Sequence, residues 1–410
     1  MDGKKEEGEQ IVIKQLKEEK KQNKTTQATK KMTSREKGIQ QNNKGEFLEY
    51  RLKRLLFAMG YLSKKGVVIK TAPNEQADII TDIDVYGVYV HKNFTSNTIW
   101  ADCKSGKDKP LERMSWLIGV RDNLKIDDII YVKRGVKLPT CEYARAKGVQ
   151  VLDLDILNRI EKNYGISEDD WRGPWNISVQ SEQLKVFKDI NILNQDTFKK
   201  VASFITTNYW AFDEYTKVKK TITALKQLSV IDKTLLNQEQ YRAVRWAIYE
   251  LVTLLVLAML NICKEIYYFS DADRKTVISN GLISGAVPVQ KREEIVEATY
   301  RVAYSIMQKQ FPAYEGFLDL PRIGIQPPSY FESFYDMICR MLNYPLEYFD
   351  ILRVLDFTLM EYDLQDKPID MDMLQEMFSN YKELKISSKT ILHFICNITG
   401  ISKDVFQLIS

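Results

Sequence analysis

The stretch Thr81 to Ser105, TDIDVYGVYVHKNFTSNTIWADCKS, constrains this chain more than any other part of it. Two runs rich in strand-forming residues flank a turn, with Asp84 near the start of the first run and Asp102 and Lys104 at the end of the second. Side chains alternate across a strand, so Asp102 and Lys104 are expected on one face and Cys103 on the other. In the first run Ile83, Val85 and Val88 are apolar, and Asp82 and Asp84 are expected on the opposite face. The pattern therefore predicts two carboxylates and an ammonium gathered at one end of a hairpin.

The segments around the hairpin predict a small α/β unit. Asn43 and Glu46 have the spacing of a capping box, and Leu48, Leu52, Leu55, Leu56 and Met59 form the apolar stripe of a helix that stops at Gly60. At the turn of an α-helix Glu49 falls roughly 60° from the centre of that stripe and Glu46 about 120° away, so Glu49 is the acid expected to lean over the packed face. A short strand over Gly66–Lys70 and a turn at Pro73-Asn74 precede the hairpin. Beyond it come a helix from Pro110 to Val120, a strand at Ile129–Lys133, a helix at Cys141–Lys147, a strand at Val149–Leu154 and a helix from Asp155 to Tyr164. The expectation is a mixed sheet with helices packed on it over residues 43–164. Residues 165–180, dense in turn formers and acids, read as a linker, and residues 181–410 show helical periodicity nearly throughout, predicting an all-α second domain.

Charge is distributed unevenly. Residues 1–44 carry 12 Lys or Arg against 7 Asp or Glu, so the remaining 366 residues are within one charge of neutral. Residues 1–42 read as a basic flexible arm too poor in apolar side chains to fold, serving as a solubilising tail or a phosphate-touching arm. The near-neutral body gives no support for non-specific nucleic-acid binding by bulk charge. Five scattered cysteines, with no C-x-x-C pair, imply a reducing compartment and no zinc site, and only two histidines leave little material for histidine-based catalysis. The N-terminus lacks the apolar core of a secretion signal. Leu251–Leu260, the most apolar run, is too short to span a bilayer and reads as a core helix, so a cytoplasmic protein without membrane contact is expected. No P-loop, Gly-rich dinucleotide loop or H-E-x-x-H is present.

Phosphodiester hydrolysis needs an activated water and neutralisation of charge on phosphorus, which hard divalent cations on carboxylates supply. Mg²⁺ keeps several waters and needs only one or two protein carboxylates. Asp84 and Asp102, with the Cys103 carbonyl as a third oxygen, suit such an ion, and Lys104 on the same face would orient the nucleophile and offset negative charge. Asp82 or Asp78 would take the place of Asp84 if the register differs by one pair. Arg113 sits where a phosphate contact would be useful, although an exposed helix arginine is the commoner case. Lys107 and Lys109 suit phosphate contacts or solubility equally, and Asp153 and Asp155 suit a strand end and a helix cap.

Glu49, Asp84 and the Asp102-Cys-Lys104 triplet resemble the PD-(D/E)XK nuclease superfamily, and the nearest branch is the Mrr-like and Holliday-junction resolvase-like restriction endonucleases. Ala144-Arg-Ala-Lys-Gly-Val-Gln-Val-Leu-Asp153 is similar to the stretch that closes the fold in that branch. The resemblance covers residues 43–164 only. No Pro precedes Asp84, a feature many members also lack. It implies a restriction-endonuclease-like fold, a metal site of Glu49, Asp84 and Asp102 with the Cys103 carbonyl, catalysis by these acids with Lys104, and Mg²⁺ or Mn²⁺ as cofactor. It further implies DNA as substrate, cleaved by an endonuclease acting in restriction or phage defence, and a homodimer or higher oligomer for duplex cleavage.

Two other classes compete with this expectation. In one, the fold is a nucleic-acid or protein-binding module without turnover. In the other, the helical domain is a sensor that engages a protein partner and gates the nuclease.

Overall fold

Leu48, Leu52, Leu55 and Leu56 recur at helical spacing and are all buried, and they seat the part of helix α1 (Ser34–Ala58) that follows Glu46 on one face of a five-stranded sheet. The structure, a computed structural model, describes residues 34–72, 76–104, 106, 109–192, 196–285, 287, 289–311 and 326–410, with backbone alone over 34–43 and at 289. The basic arm expected over residues 1–42, apart from its last helical turns, and the turn expected at Pro73-Asn74 lie outside the described residues.

The strands are β1 (Leu62–Lys70), β2 (Ile79–Val90), β3 (Ser96–Cys103), β4 (Asp128–Val132) and β5 (Val149–Leu152), in that spatial order. β1, β2 and β3 pair antiparallel, whereas β3, β4 and β5 pair parallel. Parallel neighbours need a crossover. Helices α2 (Pro110–Leu124) and α3 (Leu138–Ala146) provide the two crossovers, and both bury side chains with Trp100, Ile129 and Tyr131 on the face opposite α1. Helix α4 (Leu154–Asn163) returns to the α1 face through Leu157, and Asp153 caps it by accepting from the Asp155 N–H. The order of helices and strands is the one expected. The expected capping box is not, because α1 runs back to Ser34 and puts Asn43 inside the helix. Arg35, Glu36, Lys37, Gln40 and Gln41, all good helix formers, fill five of the nine positions from Ser34 to Asn42.

One feature of β1 and β2 departs from simple alternation. Lys65 pairs with Val85 and Val67 with Ile83, which leaves Gly66, at φ +64°, opposite Asp84. Lys65 reaches Glu49 of α1, yet Val67 packs with the α2-side core; Val85 packs with α1, yet Ile83 joins the α2 side. A left-handed residue reverses the pleat, and only glycine adopts that conformation without strain. Both strands therefore change sides at the level of Asp84.

The remaining helices are α5 (Ile177–Asp189), α6 (Thr197–Thr206), α7 (Glu214–Ser229), α8 (Gln238–Ile266), α9 (Asp271–Ser284), α10 (Val289–Gln310), α11 (Phe331–Asn343), α12 (Pro345–Tyr348), α13 (Ile351–Thr358), α14 (Met371–Met377) and α15 (Tyr381–Thr399). The apolar run Leu251–Leu260 lies in α8, which is long and apolar enough to cross a membrane, but 94% of its most apolar window is buried within the protein. It serves as the core helix, started by a capping box between Asn237 and Gln240.

The sheet and the helical part share one core. Leu62, Val88 and the turn residue Phe94 pack with residues of α5 to α9 and α11 to α15, and Lys64 of β1 bridges Glu250 at 2.8 Å and Asp356 at 2.9 Å. Residues 165–180, expected as a linker, are part of that packing. Arg54 donates to the carbonyls of Ser167 and Asp170 and lies 4.7 Å from the Trp171 ring, while Trp175 is buried between Phe57 and Phe357. Two tryptophans are too much apolar surface to leave in water, which is why the segment folds down.

Candidate functional site

The paired part of β2 and β3 ends at Val85–Ala101, so β2 leaves its neighbour at Asp84. The Cys103 N–H, deprived of a strand acceptor there, donates instead to Asp84 Oδ2 at 2.7 Å. Asp84 is thus fixed against the last residue of β3. Burial pushes its carboxyl up, and the nearby Asp102 charge adds to this, while Lys104 and the Cys103 N–H pull the other way.

Asp102 is fully buried. Lys104 Nζ stands 3.1 Å from Asp102 Oδ1 and 3.4 Å from Asp84 Oδ2, so one ammonium lies between the two carboxylates. On its other side Asp102 receives a bidentate grip from Arg113, with Nε donating to Oδ2 at 3.0 Å and Nη2 to Oδ1. The Arg113 guanidinium also lies 4.0 Å from the ring of Trp116, whose edge meets Trp100. Pro110 at the first turn of α2 and the buried Met114 and Leu117 hold that helix in place, and Arg113 falls at the edge of their stripe. Two anions and two cations thus form a compact neutral cluster.

Cys103 points away from this cluster, as alternation demands, into the core under α1. Burial pushes its thiol well up, and Asp84, Glu49 and Asp102 all add to the rise. All three carboxylates are thus near enough to Cys103 for their charges to act on its thiol. Glu49 pairs with Lys65 at 3.0 Å. Asp82 lies close to Lys65 and Lys104, and its carboxyl is raised chiefly by burial.

Of the expected site residues, Asp84, Asp102 and Lys104 meet. Glu49 stands nearby with a partner of its own, and Lys107 lies outside the described residues. Arg113, expected on a phosphate or exposed, spends its fork on Asp102 within the protein. Sequence reasoning missed Lys65 and Lys133. Lys133 follows β4 as Lys104 follows β3, and the parallel register pairs Cys103 with Val132, so the two lysines are neighbours at the carboxyl ends of adjacent strands. Burial first, and then Lys104, push the Lys133 ammonium down. The signal lay in the endings of IIYVK and WADCK, two strand-like runs that both close on lysine.

Among the described residues no group of three or more His, Cys, Asp or Glu is arranged to hold a metal. The donor set still suits a hard cation in part, because two carboxylate oxygens already surround the Lys104 ammonium. Fold and site together define an α/β protein with an attached helical part and a charged cluster at the carboxyl ends of its parallel strands, where open α/β sheets bind ligands. No family model matches the chain, and no curated protein or solved structure matches it either.

Proposed function

We propose that this protein is a metal-dependent endonuclease that hydrolyses DNA phosphodiester bonds, with a restriction-endonuclease-like sheet domain and with Asp84, Asp102 and Lys104 as the catalytic group. The observation that carries this reading is the Lys104 ammonium seated between Asp84 Oδ2 and Asp102 Oδ1. One or two carboxylates are the share of ligands that a protein supplies to a Mg²⁺ ion, which keeps several of its waters. Mg²⁺ or Mn²⁺, when bound, would supply an activated water and a Lewis acid. Asp84 and Asp102 would hold the ion, with Glu49 close by. Lys104, displaced from between them, would orient the water and offset charge on the phosphate. Arg113 fixes the position of Asp102 through its bidentate grip. One such site cuts one strand, so a dimer is the simplest arrangement for duplex cleavage.

Cleavage of linear, circular and single-stranded DNA and of RNA, in Mg²⁺ and in Mn²⁺, tests the proposal. Wild type should cut DNA, and Asp84→Asn, Asp102→Asn and Lys104→Ala should each abolish cutting while remaining folded. Undiminished cutting by all three variants rules out the assignment.

A second reading is a binding module without turnover. The bidentate Arg113 favours it, because both oxygens of the buried Asp102 already accept hydrogen bonds from within the protein. Calorimetry with Mn²⁺ separates the two: a site that turns over should bind the ion in wild type and lose it in Asp84→Asn, whereas a latched module should bind none.

A further inference from the structure

Helix α10 (Val289–Gln310) is 22 residues long, and none of its described residues enters the core. Arg292 ties it to α9 by donating to the Ile283 carbonyl. From Glu293 to Gln310 every side chain except those of Val296 and Tyr304 is exposed. The helix is amphipathic all the same. Ile295, Val302 and Ile306 fall within about 40° of one another on a helical wheel, and Tyr300 and Met307 widen the apolar face on one side. With Phe311 just past the end of α10, six large apolar side chains stand 40% to 63% exposed.

Helices in water draw most of their stability from packing an apolar face, and β-branched and aromatic residues such as those of α10 are weaker helix formers than Ala or Leu. The face therefore calls for a cover. At roughly 100 Å² of exposed surface for each large side chain, it reaches the upper end of the patch that a monomer ordinarily shows, about 300 to 600 Å². Two such faces laid together remove on the order of 1,000 Å² from water, the size at which a specific interface begins.

Charge selects the occupant. Four cations and three acids lie along α10, too even a balance to favour a lipid surface or nucleic acid. Their placement is uneven. Glu293, Glu294 and Glu297 outnumber Lys291 and Arg292 in the first half, while the second half holds Arg301 and Lys309 and no acid. Arg301 pairs with Glu297 along the helix at 2.6 Å, which leaves Lys309 towards one end and Glu293 and Glu294 towards the other. An antiparallel copy of α10 sets the acidic half of one helix against the basic half of the other and opposes the two helix dipoles, whereas a parallel copy sets like against like.

From these observations we propose that the apolar face of α10 is a dimerisation surface whose occupant is the same face of a second copy, running antiparallel so that Ile295 of one copy lies opposite Ile306 of the other. Such a contact is self-complementary and closed, so a dimer uses the face up. The Asp84–Asp102–Lys104 cluster takes no part in it, and the inference stands whether or not that cluster cuts DNA.

Sedimentation velocity of the full chain at concentrations from about 1 to 100 μM is the test. Wild type should sediment as a dimer. Val302→Glu and Ile306→Glu each put a charge into the apolar contact and should weaken association roughly tenfold or more, while circular dichroism shows both variants folded. Gln308→Glu, on the opposite side of the helix, should associate as wild type does. A photo-crosslinking side chain in place of Ile295 should join a second, isotope-labelled copy near Ile306. A monomeric wild type overturns the proposal, as does association that Val302→Glu and Ile306→Glu leave unchanged. Loss of folding in those two variants overturns it too, because it would place the face against the protein's own chain. Cross-links between the two copies of position 295 overturn the antiparallel arrangement.

Discussion

Arg113, from the first turn of α2, clasps Asp102 at the end of β3 with two parallel hydrogen bonds, and Asp102 has no solvent exposure at all. Removing one partner of a buried pair leaves the other charge uncompensated, at a cost of about 3 to 5 kcal/mol. Lys104 compensates part of that charge. Arg113→Ala should therefore destabilise the fold by about 3 kcal/mol in urea titration, and Arg113→Lys should not restore it, because an ammonium cannot bind in a fork. A loss under about 0.5 kcal/mol, the size of an exposed ion pair, would show that the clasp does not form.

Asp84 serves the backbone as well as the site. Asp84→Asn keeps an oxygen for the Cys103 N–H and sheds the buried charge, whereas Asp84→Ala leaves that N–H unsatisfied. The alanine variant should be less stable than the asparagine one by about 1 to 3 kcal/mol. The pH dependence has a definite sign. Because the folded carboxyl titrates above its ordinary value of 3.8, the folded state holds the proton longer than the unfolded state does. Wild type should then lose stability relative to Asp84→Asn as pH rises from about 3.8 through the raised folded value, and hold a constant difference above it. A difference that is flat across that window counts against the buried placement.

Lys53 gives the opposite kind of profile. Burial pushes its ammonium down to about 8 from 10.5, with Asp356 opposing. Between those two values the unfolded chain binds the proton and the folded chain does not, so stability rises with pH there and the penalty is fully present below about 8. Lys53→Met should raise stability at pH 7 by roughly 2 to 3 kcal/mol, with the gain shrinking by pH 10.5. Denaturant unfolding of both proteins at the two pH values checks this, and a variant less stable than wild type at pH 7 contradicts it.

The shared core forbids clean separation of the two parts. A chain ending at Tyr164 would expose Leu62, Val88 and Phe94 and strand Lys64 without Glu250 and Asp356. That fragment should be unfolded or aggregated by near-ultraviolet circular dichroism and proteolysis. A folded, protease-resistant fragment would show that the sheet stands alone. In the full chain Trp175→Ala, which empties the space between Phe57 and Phe357, should cost about 3 to 5 kcal/mol, and unfolding should stay a single transition.

Local periodicity by itself determined much of this protein. The leucine stripe of α1, the order of helices and strands, and the opposition of Asp102 and Lys104 to Cys103 all follow from residues a few positions apart, because strand and helix geometry act over that range. The tertiary structure decided what depends on distant residues. Gly66 turns β1 over at the level of Asp84, so Lys65 meets Glu49 while Val67 faces α2. Arg113 finds Asp102 only once α2 crosses back over the sheet, and Lys64 finds Asp356 from 292 residues away. Such pairings leave no periodic trace, since they are set by how the buried faces of the two parts close on each other and by the need of each buried charge for a partner.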